Sequence, residues 1–441
     1  MSLVKHIVSQ RREVAEKTYL FLRRHGVRAA ARRAVEVILQ QQQQQQQAVV
    51  QAPASSAADL VKGAFPRLVP LCAYATPRKR PRINLITDSI NTGFLYGGVG
   101  TASIFAALLA ERLGCELRII TRLARADERN FKHIATLAKI PDLGNVSFTL
   151  CAETTNQAGF DVGEQELYIT TSWWTTWSTV QTLGPSRVVY ILQEDERMFY
   201  PYGDEHLRCT QTLSRPDLFY LINTKRLFEH LSGGDFPNVA ARGTWFEPAF
   251  PSDLFFQQEP PRAGGKRKLL FYARPLNARN LFHLGIEALE HAIAAGVIDP
   301  NRWELHLVGR DIPSLRFSRP IQIERHMNLP WREYAALVRS MDLGLSLMYT
   351  PHPSYPPLDL AASGAVVVTN RFGSKQDLDE YSKNILCVEP TVDDLVHGLA
   401  QGVRLAEDRE ARARNFRENG LHRDWRASFA SSIDEVQSRF F

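Results

Sequence analysis

The segment Ser346-Leu-Met-Tyr-Thr-Pro-His-Pro-Ser-Tyr-Pro-Pro-Leu-Asp-Leu-Ala-Ala-Ser-Gly364-Ala-Val-Val-Val-Thr-Asn370 runs from an apolar stretch through a Pro-rich loop to a short helix with one acid, a glycine stop and a buried strand. That order puts Tyr355 and Asp359 at the mouth of a parallel sheet, where open α/β folds take their ligands. Pro356 and Pro357 suit a helix start, because first-turn N–H groups have no intrahelical partner. Asp359 reads as a first-turn residue, where the helix dipole favours a carboxylate that can accept hydrogen bonds from a bound polyol. Taken alone, the segment reads more simply as a capping acid after a Pro turn. The chain around it separates the two readings.

Upstream, strand and helix alternate from Ile83 onward. Strands are expected at Ile83–Thr87, Leu117–Thr121, Val146–Leu150, Leu167–Thr170, Val188–Leu192 and Leu218–Ile222, with a helix over Thr101–Leu113 stopped by Gly114. These strands are almost continuously apolar, the mark of a parallel sheet covered on both faces. Pro251 to Gly265 breaks the pattern as an interdomain linker. The alternation then restarts, with strands at Leu269–Tyr272, Glu304–Val308, Gly344–Leu347, Ala365–Thr369 and Ile385–Val388. Helices are expected over Asn280–Ala295, Pro330–Met341, Val392–Leu405 and Trp425–Phe440. The fold class is therefore α/β, two Rossmann-like, doubly wound parallel-sheet domains facing across a cleft that takes the ligand. The division is a basic helical arm with a Gln-rich linker (1–80), a first domain (81–255), a second domain (266–424) and a C-terminal helix (425–441) returning to the first.

The 441 residues carry 53 Lys and Arg against 47 Asp and Glu, a net charge of +6. Nine of the basic and three of the acidic residues lie within 1–36, which leaves 44 of each sign elsewhere. The basicity belongs to the arm and the body is neutral, which argues against a nucleic-acid-binding surface. The arm, 1–39, reads as a basic helix that either lies on an anionic membrane or packs on its own protein. Gln40 to Gln47 reads as a flexible linker. No apolar run approaches the ~20 residues of a membrane span, and no signal-peptide core stands at the start. The five cysteines form no CxxC pair, so neither a disulfide framework nor a zinc site is indicated. A cytoplasmic protein is expected, peripheral on the inner face of the membrane where the arm binds it.

Several constellations carry chemistry. Between the first strand and helix, Asn91-Thr-Gly-Phe-Leu-Tyr-Gly97-Gly98-Val-Gly100 offers glycines whose backbone N–H groups can approach a phosphate. It is not a GxGxxG loop and no acid follows at the spacing a nicotinamide dinucleotide requires. In the second half, Arg274 and Arg279 follow a strand five residues apart and are placed to clamp a pyrophosphate. Surface ion pairing is the competing account. Val308-Gly309-Arg310 ends the next strand in the same manner. Asp377-Leu-Asp379 has the form of a metal site, but after Gly373-Ser374 a capped first helical turn explains it better.

On these residues the chain resembles the retaining glycosyltransferases of sequence family 4, which have the GT-B fold. Arg274…Arg279 is similar to their Arg-x4-Lys signature, and Tyr355-Pro-Pro-Leu-Asp359-Leu-Ala-Ala-Ser-Gly364 to the region of their paired glutamates. Over about residues 81–425 it resembles more nearly the bacterial rhamnosyltransferases of the WsaF type. The shared features are Pro-His-Pro-Ser-Tyr-Pro-Pro-Leu at Pro351 to Leu358, a Trp173-Trp174 pair, Gln193-Glu-Asp-Glu196 with Phe199-Tyr-Pro201 after it, and Asn223-Thr-Lys225. Pro351 stands where the first acid of the family 4 pair would be, Asp359 is one methylene shorter than the usual Glu, and Asn328 stands near the usual Lys, with Arg325 and His326 as possible substitutes.

The resemblance implies a metal-independent, retaining transferase, in which Arg side chains and helix N-termini offset the charge of the diphosphate leaving group. No cofactor is expected beyond the nucleotide-sugar donor, dTDP-L-rhamnose. The acceptor is a cell-surface polysaccharide, glycan or lipid-linked glycan. Arg274, Arg279, Gly309, Arg325, His326, Asn328, Tyr355, Leu358 and Asp359 would contact the donor, with Asp359 and Arg274 catalytic and Gly97, Gly98 and Gly100 as a phosphate loop. Trp173 and Trp174 would offer faces for sugar stacking, and Glu194, Asp195 and Glu196 are candidate contacts to the acceptor hydroxyl. The alternatives are a transferase using UDP-hexose or GDP-mannose and a non-catalytic GT-B module that binds glycan.

Overall fold

The computed structural model describes residues 56–91, 95–140, 144, 146–152, 159–258 and 265–441. The basic arm, the glutamine tract, residues 92–94 of the Gly-rich loop and residues 259–264 of the interdomain linker lie outside the described residues. Two compact units divide the chain, Met1–Phe65 and Pro66–Phe441. The described part of the first is a helix, Ala57–Ala64, whose Ser56 hydroxyl caps the Asp59 N–H at 3.1 Å.

The second unit contains two parallel sheets. Its strands in chain order are β1 (Ala73–Ala75), β2 (Arg82–Thr87), β3 (Glu116–Thr121), β4 (Val146–Leu150), β5 (Phe160–Val162), β6 (Glu166–Thr170), β7 (Val188–Leu192), β8 (Phe219–Asn223) and β9 (Gly243–Phe246), then β10 (Arg267–Ala273), β11 (Trp303–Gly309), β12 (Ile323–Met327), β13 (Leu343–Leu345), β14 (Val366–Asn370) and β15 (Ile385–Val388). The first sheet runs β4-β3-β2-β6-β7-β8-β9 and the second β12-β11-β10-β13-β14-β15, while β1 and β5 form a small pair of their own. All pairings between these strands are parallel. Strands β2, β6, β7, β8 and β14 are buried at every position. Helices cover both faces of each sheet, which is why their sequences lack a polar alternation.

The strand order reverses between β2 and β6 in the first sheet and between β10 and β13 in the second. Ligand crevices of doubly wound sheets open at the carboxyl ends of such neighbours. Here the segments leaving those ends are the Gly-rich loop and the Trp173–Leu183 helix on one side, and Arg274 and the Tyr355–Ala362 helix on the other. The C-terminal helix Trp425–Phe440 packs into the first sheet's core, where the Phe429 ring lies 5.2 Å from Phe105 and 4.7 Å from Phe246.

The expected strands of both sheets are present to within three residues at each end. Three features differ. The short strand β5 and the edge strands β9 and β12 were not expected, because Phe-Asp-Val, Gly-Thr-Trp-Phe and Ile-Glu-Arg-His-Met carry no long apolar run. Residues 66–80, assigned from sequence to the arm and linker, belong to the second unit: Leu71 is buried in the first domain's core and β1 pairs with β5. No helix begins after Ser374. The segment makes turns instead, and Asp377 lies 3.4 Å from the Arg226 guanidinium.

Candidate active site

A cavity of about 310 Å³ lies at the reversal point of the second sheet and reaches the first domain. Its polar wall comes from the ends of β10, β11 and β12, namely Arg274, Gly309, Arg310, His326 and Asn328. Asp359, Tyr355 and Ser354 enter from the Pro-rich loop and its helix, and Tyr334 and Trp331 from the helix Trp331–Arg339. Gly97 and Thr101 close it from the first domain, with Phe250, Phe255 and Trp425 as apolar lining. Among the described residues, neither Arg274 nor Arg310 has an ion-pair partner, and both line the cavity, Arg310 as an exposed residue.

Local chemistry explains the positioning. A Cβ on Gly309 would lie 1.9 Å from the Ala273 carbonyl oxygen, so only glycine lets the ends of β10 and β11 approach this closely. The Asn328 N–H donates to the Gly309 carbonyl at 3.2 Å, with Asn328 at φ +54°. Ser354 sits at φ +71°. Left-handed backbone at non-glycine residues costs on the order of 1–3 kcal/mol each, and such strain collects at ligand sites. The Tyr355 hydroxyl joins the two domains: it lies 2.6 Å from Thr101 Oγ1 and accepts from Asn223 Nδ2 at 3.0 Å. Thr101 in turn donates to the Gly97 carbonyl at 3.1 Å.

Asp359 is 7% exposed and accepts a hydrogen bond from the Tyr334 hydroxyl at 3.0 Å. It is the fifth residue of its helix, one turn deeper than expected, so the dipole of the first turn does not hold it ionised. Burial pushes its carboxyl up to about 8, against the smaller opposing effect of Tyr334. At neutral pH this acid carries its proton and can donate as well as accept a hydrogen bond.

Of the residues singled out from sequence, Arg274, Gly309, His326, Asn328, Tyr355, Asp359 and Gly97 share this cavity. The others lie elsewhere. Arg279 does not pair with Arg274 as a clamp. Its guanidinium stacks over the Phe199 ring at 3.9 Å and lies 3.7 Å from Glu194 Oε2. Arg325 donates to the Ile312 carbonyl at 3.3 Å, because strand alternation turns it away from the face that carries His326. Leu358 is fully buried in the core beneath the helix, which turns its side chain away from the cavity. Gly98 packs against the Gln193 side chain, whose Nε2 donates to its carbonyl, and Gly100 is buried as the first residue of its helix.

Trp173 is likewise corrected. Trp173 is 2% exposed and its indole N–H donates to the Tyr200 hydroxyl at 3.1 Å, which leaves no face for a sugar. Trp174 donates to Asp88 at 2.9 Å beneath the Arg67 guanidinium. Among the three acids the structure discriminates. Burial would raise the Asp195 carboxyl, but hydrogen bonds from His230 and Arg197 outweigh it and hold it at about 2. Glu196 accepts from the Trp173 N–H at 2.7 Å and the Tyr190 hydroxyl at 2.9 Å, and burial pushes it up to about 8. Glu194 faces the second domain, accepting from Thr350 Oγ1 at 2.9 Å, and burial lifts it to about 7 despite Arg279.

Arg310, Tyr334, Trp331 and Thr101 line the cavity and were not assigned to it from sequence. Arg310 stands at the end of β11, in the Val308-Gly309-Arg310 motif. Trp331 and Tyr334 are three apart on a helix, a spacing that puts both on one face. His352 is buried with Nδ1 accepting from the Ser354 N–H at 2.9 Å, and Nε2 has no partner among the described residues. Burial, with Lys375 and Arg279 nearby, pushes its imidazole down to about 3, so it stays neutral.

Comparison with known families now bears on this geometry. Residues 82–225 match "WsaF, N-terminal domain" and residues 267–400 match "WsaF, C-terminal domain". The chain belongs to the WsaF family. A curated relative, the O-antigen biosynthesis protein RfbC of Myxococcus xanthus, is 28% identical over 377 residues, which cover 82% of this chain and 27% of that one. The chain thus spans about a quarter of that relative's length. Among solved structures, Anabaena Alr3699/HepE in complex with UDP and glucose aligns with a TM-score of 0.53 at 14% identity, covering 81% of this chain and 99% of that one. WaaG, a glycosyltransferase involved in lipopolysaccharide biosynthesis, aligns with a TM-score of 0.52 at 12% identity, covering 80% and 99%. This WsaF-family chain has the GT-B fold.

Proposed function

We propose that the chain is a glycosyltransferase of cell-surface polysaccharide or O-antigen assembly that moves L-rhamnose from dTDP-L-rhamnose to a glycan or lipid-linked glycan acceptor. The observation that carries the transferase reading is the pair of unpaired guanidinium groups, Arg274 and Arg310, at adjacent strand ends in the cavity. Two fixed cations there suit a diphosphate, whose charge grows as the glycosyl bond breaks. Asn328 and the protonated Asp359 supply neutral hydrogen-bonding groups beside them, for phosphate or sugar oxygens. WsaF membership and the relative's role in O-antigen biosynthesis support the assignment to polysaccharide assembly.

Rhamnose and thymidine rest on the Pro-His-Pro-Ser-Tyr-Pro-Pro-Leu loop and on Pro351, which leaves the site one acid short for a ribose diol. In this reading the sugar is transferred with retention, a donor phosphate oxygen taking the acceptor proton, and the two arginines hold the leaving group without a metal. Glu194, which meets Thr350 of the second domain and whose carboxyl burial pushes up to about 7, is our candidate for the first-domain acid that contacts an acceptor hydroxyl. Titration calorimetry with dTDP, UDP and GDP tests the donor. Binding of dTDP at least tenfold tighter than the others, about 1.4 kcal/mol, is expected. UDP or GDP binding tenfold tighter than dTDP would overturn the thymidine assignment.

A further inference from the structure

Strands β10, β11 and β12 carry a row of polar side chains on one face of the second sheet, from β10 beside the reversal point out to the edge strand β12. Lys268 lies opposite Glu304 and His306 opposite Glu324 in the strand register, with His326 two residues further along β12. Three potential ligand atoms converge there. His306 Nδ1 lies 3.0 Å from His326 Nε2 and 3.6 Å from Glu324 Oε2, and His326 Nε2 lies 3.6 Å from the same carboxylate oxygen. A tetrahedral ion with bonds of about 2.0–2.2 Å to nitrogen and oxygen sets its ligand atoms roughly 3.3 Å apart. The observed triangle brackets that value.

A fourth side chain supports the arrangement. Glu304 Oε1 lies 3.0 Å from His306 Nε2, on the side of the ring away from the triangle. The carboxylate favours the proton on Nε2, which leaves the Nδ1 lone pair facing His326 and Glu324. Metal-bound histidines are oriented by a carboxylate in this way. Lys268 Nζ, 3.5 Å from Glu304, keeps that carboxylate in place. The His306 side chain is 1% exposed and that of Glu324 47%, so the triangle has a buried base and one side open to solvent.

We propose that His306, Glu324 and His326 form a binding site for a transition-metal dication of the zinc class, with a water completing the shell and Glu304 orienting His306. The ion ties edge strand β12, which has a hydrogen-bonded neighbour on one side alone, to β11. It is distinct from the guanidinium pair assigned to the donor diphosphate, although His326 belongs to the wall of both.

The test uses the full, tag-free chain stripped with a chelator and titrated with zinc against a chromophoric chelator, and separately with cobalt followed in the visible. One equivalent per chain at micromolar affinity or tighter is expected, with cobalt d–d bands of a nitrogen and oxygen shell. Glu324→Gln and His326→Gln should each weaken zinc binding roughly tenfold or more. Glu324→Gln alters a half-exposed side chain and keeps the test decisive if the histidine variant fails to fold. Zinc should raise the Tm of the wild type and not that of Glu324→Gln. Zinc uptake unchanged in Glu324→Gln, or no uptake by the wild type at 100-fold excess metal, would overturn the site and leave a hydrogen-bonded histidine pair.

Discussion

Asp359→Asn should make the folded chain more stable at neutral pH. The carboxyl is raised from 3.8 to about 8 by burial. Between those values the folded state holds a proton that the unfolded state has lost. Stability from this group is therefore fully present below about pH 4, falls as pH rises, and levels off above about pH 8. Each pH unit in the window is worth about 1.36 kcal/mol, so pH 5 to pH 7 costs about 2.7 kcal/mol through this one residue. Asn has the same shape, can still accept from Tyr334, and carries no titrating proton. Urea unfolding of both proteins at half-unit steps from pH 5 to 8 gives the comparison, with all other groups cancelling. The variant should gain about 2–3 kcal/mol on the wild type between pH 5 and 7. Parallel pH profiles would refute the buried, protonated acid on which the site's chemistry is built.

Arg274→Ala and Arg310→Ala should each weaken dTDP binding by roughly 1.5–3 kcal/mol in calorimetry, the range for hydrogen bonds to charged groups. Arg279→Ala, which removes a stacking and ion-pair partner outside the cavity, should weaken it less. Tyr355→Phe removes the hydroxyl between Thr101 and Asn223 and should destabilise the fold by roughly 1–3 kcal/mol in denaturant titration, with the two domains less tightly joined. A chain beginning at Pro66 should fold and bind nucleotide. The full chain, unlike the shorter one, should co-sediment with anionic vesicles and lose that binding as salt is raised.

The two sheets were legible because their strands are buried on both faces and so read as apolar runs. β12 escaped because an edge strand with Glu324, Arg325 and His326 has no such run, yet it carries His326 of the cavity and leads directly into Asn328. Motifs at strand ends located Arg274, Gly309 and Asp359, since a strand's carboxyl end fixes where the next residues emerge. They did not fix side-chain direction. Arg279 lies within a short helical turn that sends it to Glu194 and Phe199, and Leu358 and Asp359, adjacent in sequence, point in directions about 100° apart around one helix. Trp173 was read as a sugar platform, but the first residue of a helix capped by Ser172 faces inward here. Thr101 and Asn223 bind Tyr355 from more than 130 positions away, and no local pattern records such a contact.

The most direct test of the central claim is transfer itself. Purified wild type, Arg274→Ala and Arg310→Ala would be incubated with radiolabelled dTDP-L-rhamnose, UDP-glucose and GDP-mannose and a lipid-linked or free glycan acceptor, and product counted. The wild type should transfer rhamnose in preference to the other sugars, and both variants, folded by circular dichroism, should lose most of that activity. Wild type that transfers no sugar from any donor, while binding glycan with an affinity unchanged in both variants, would contradict the account and make the chain a non-catalytic GT-B module.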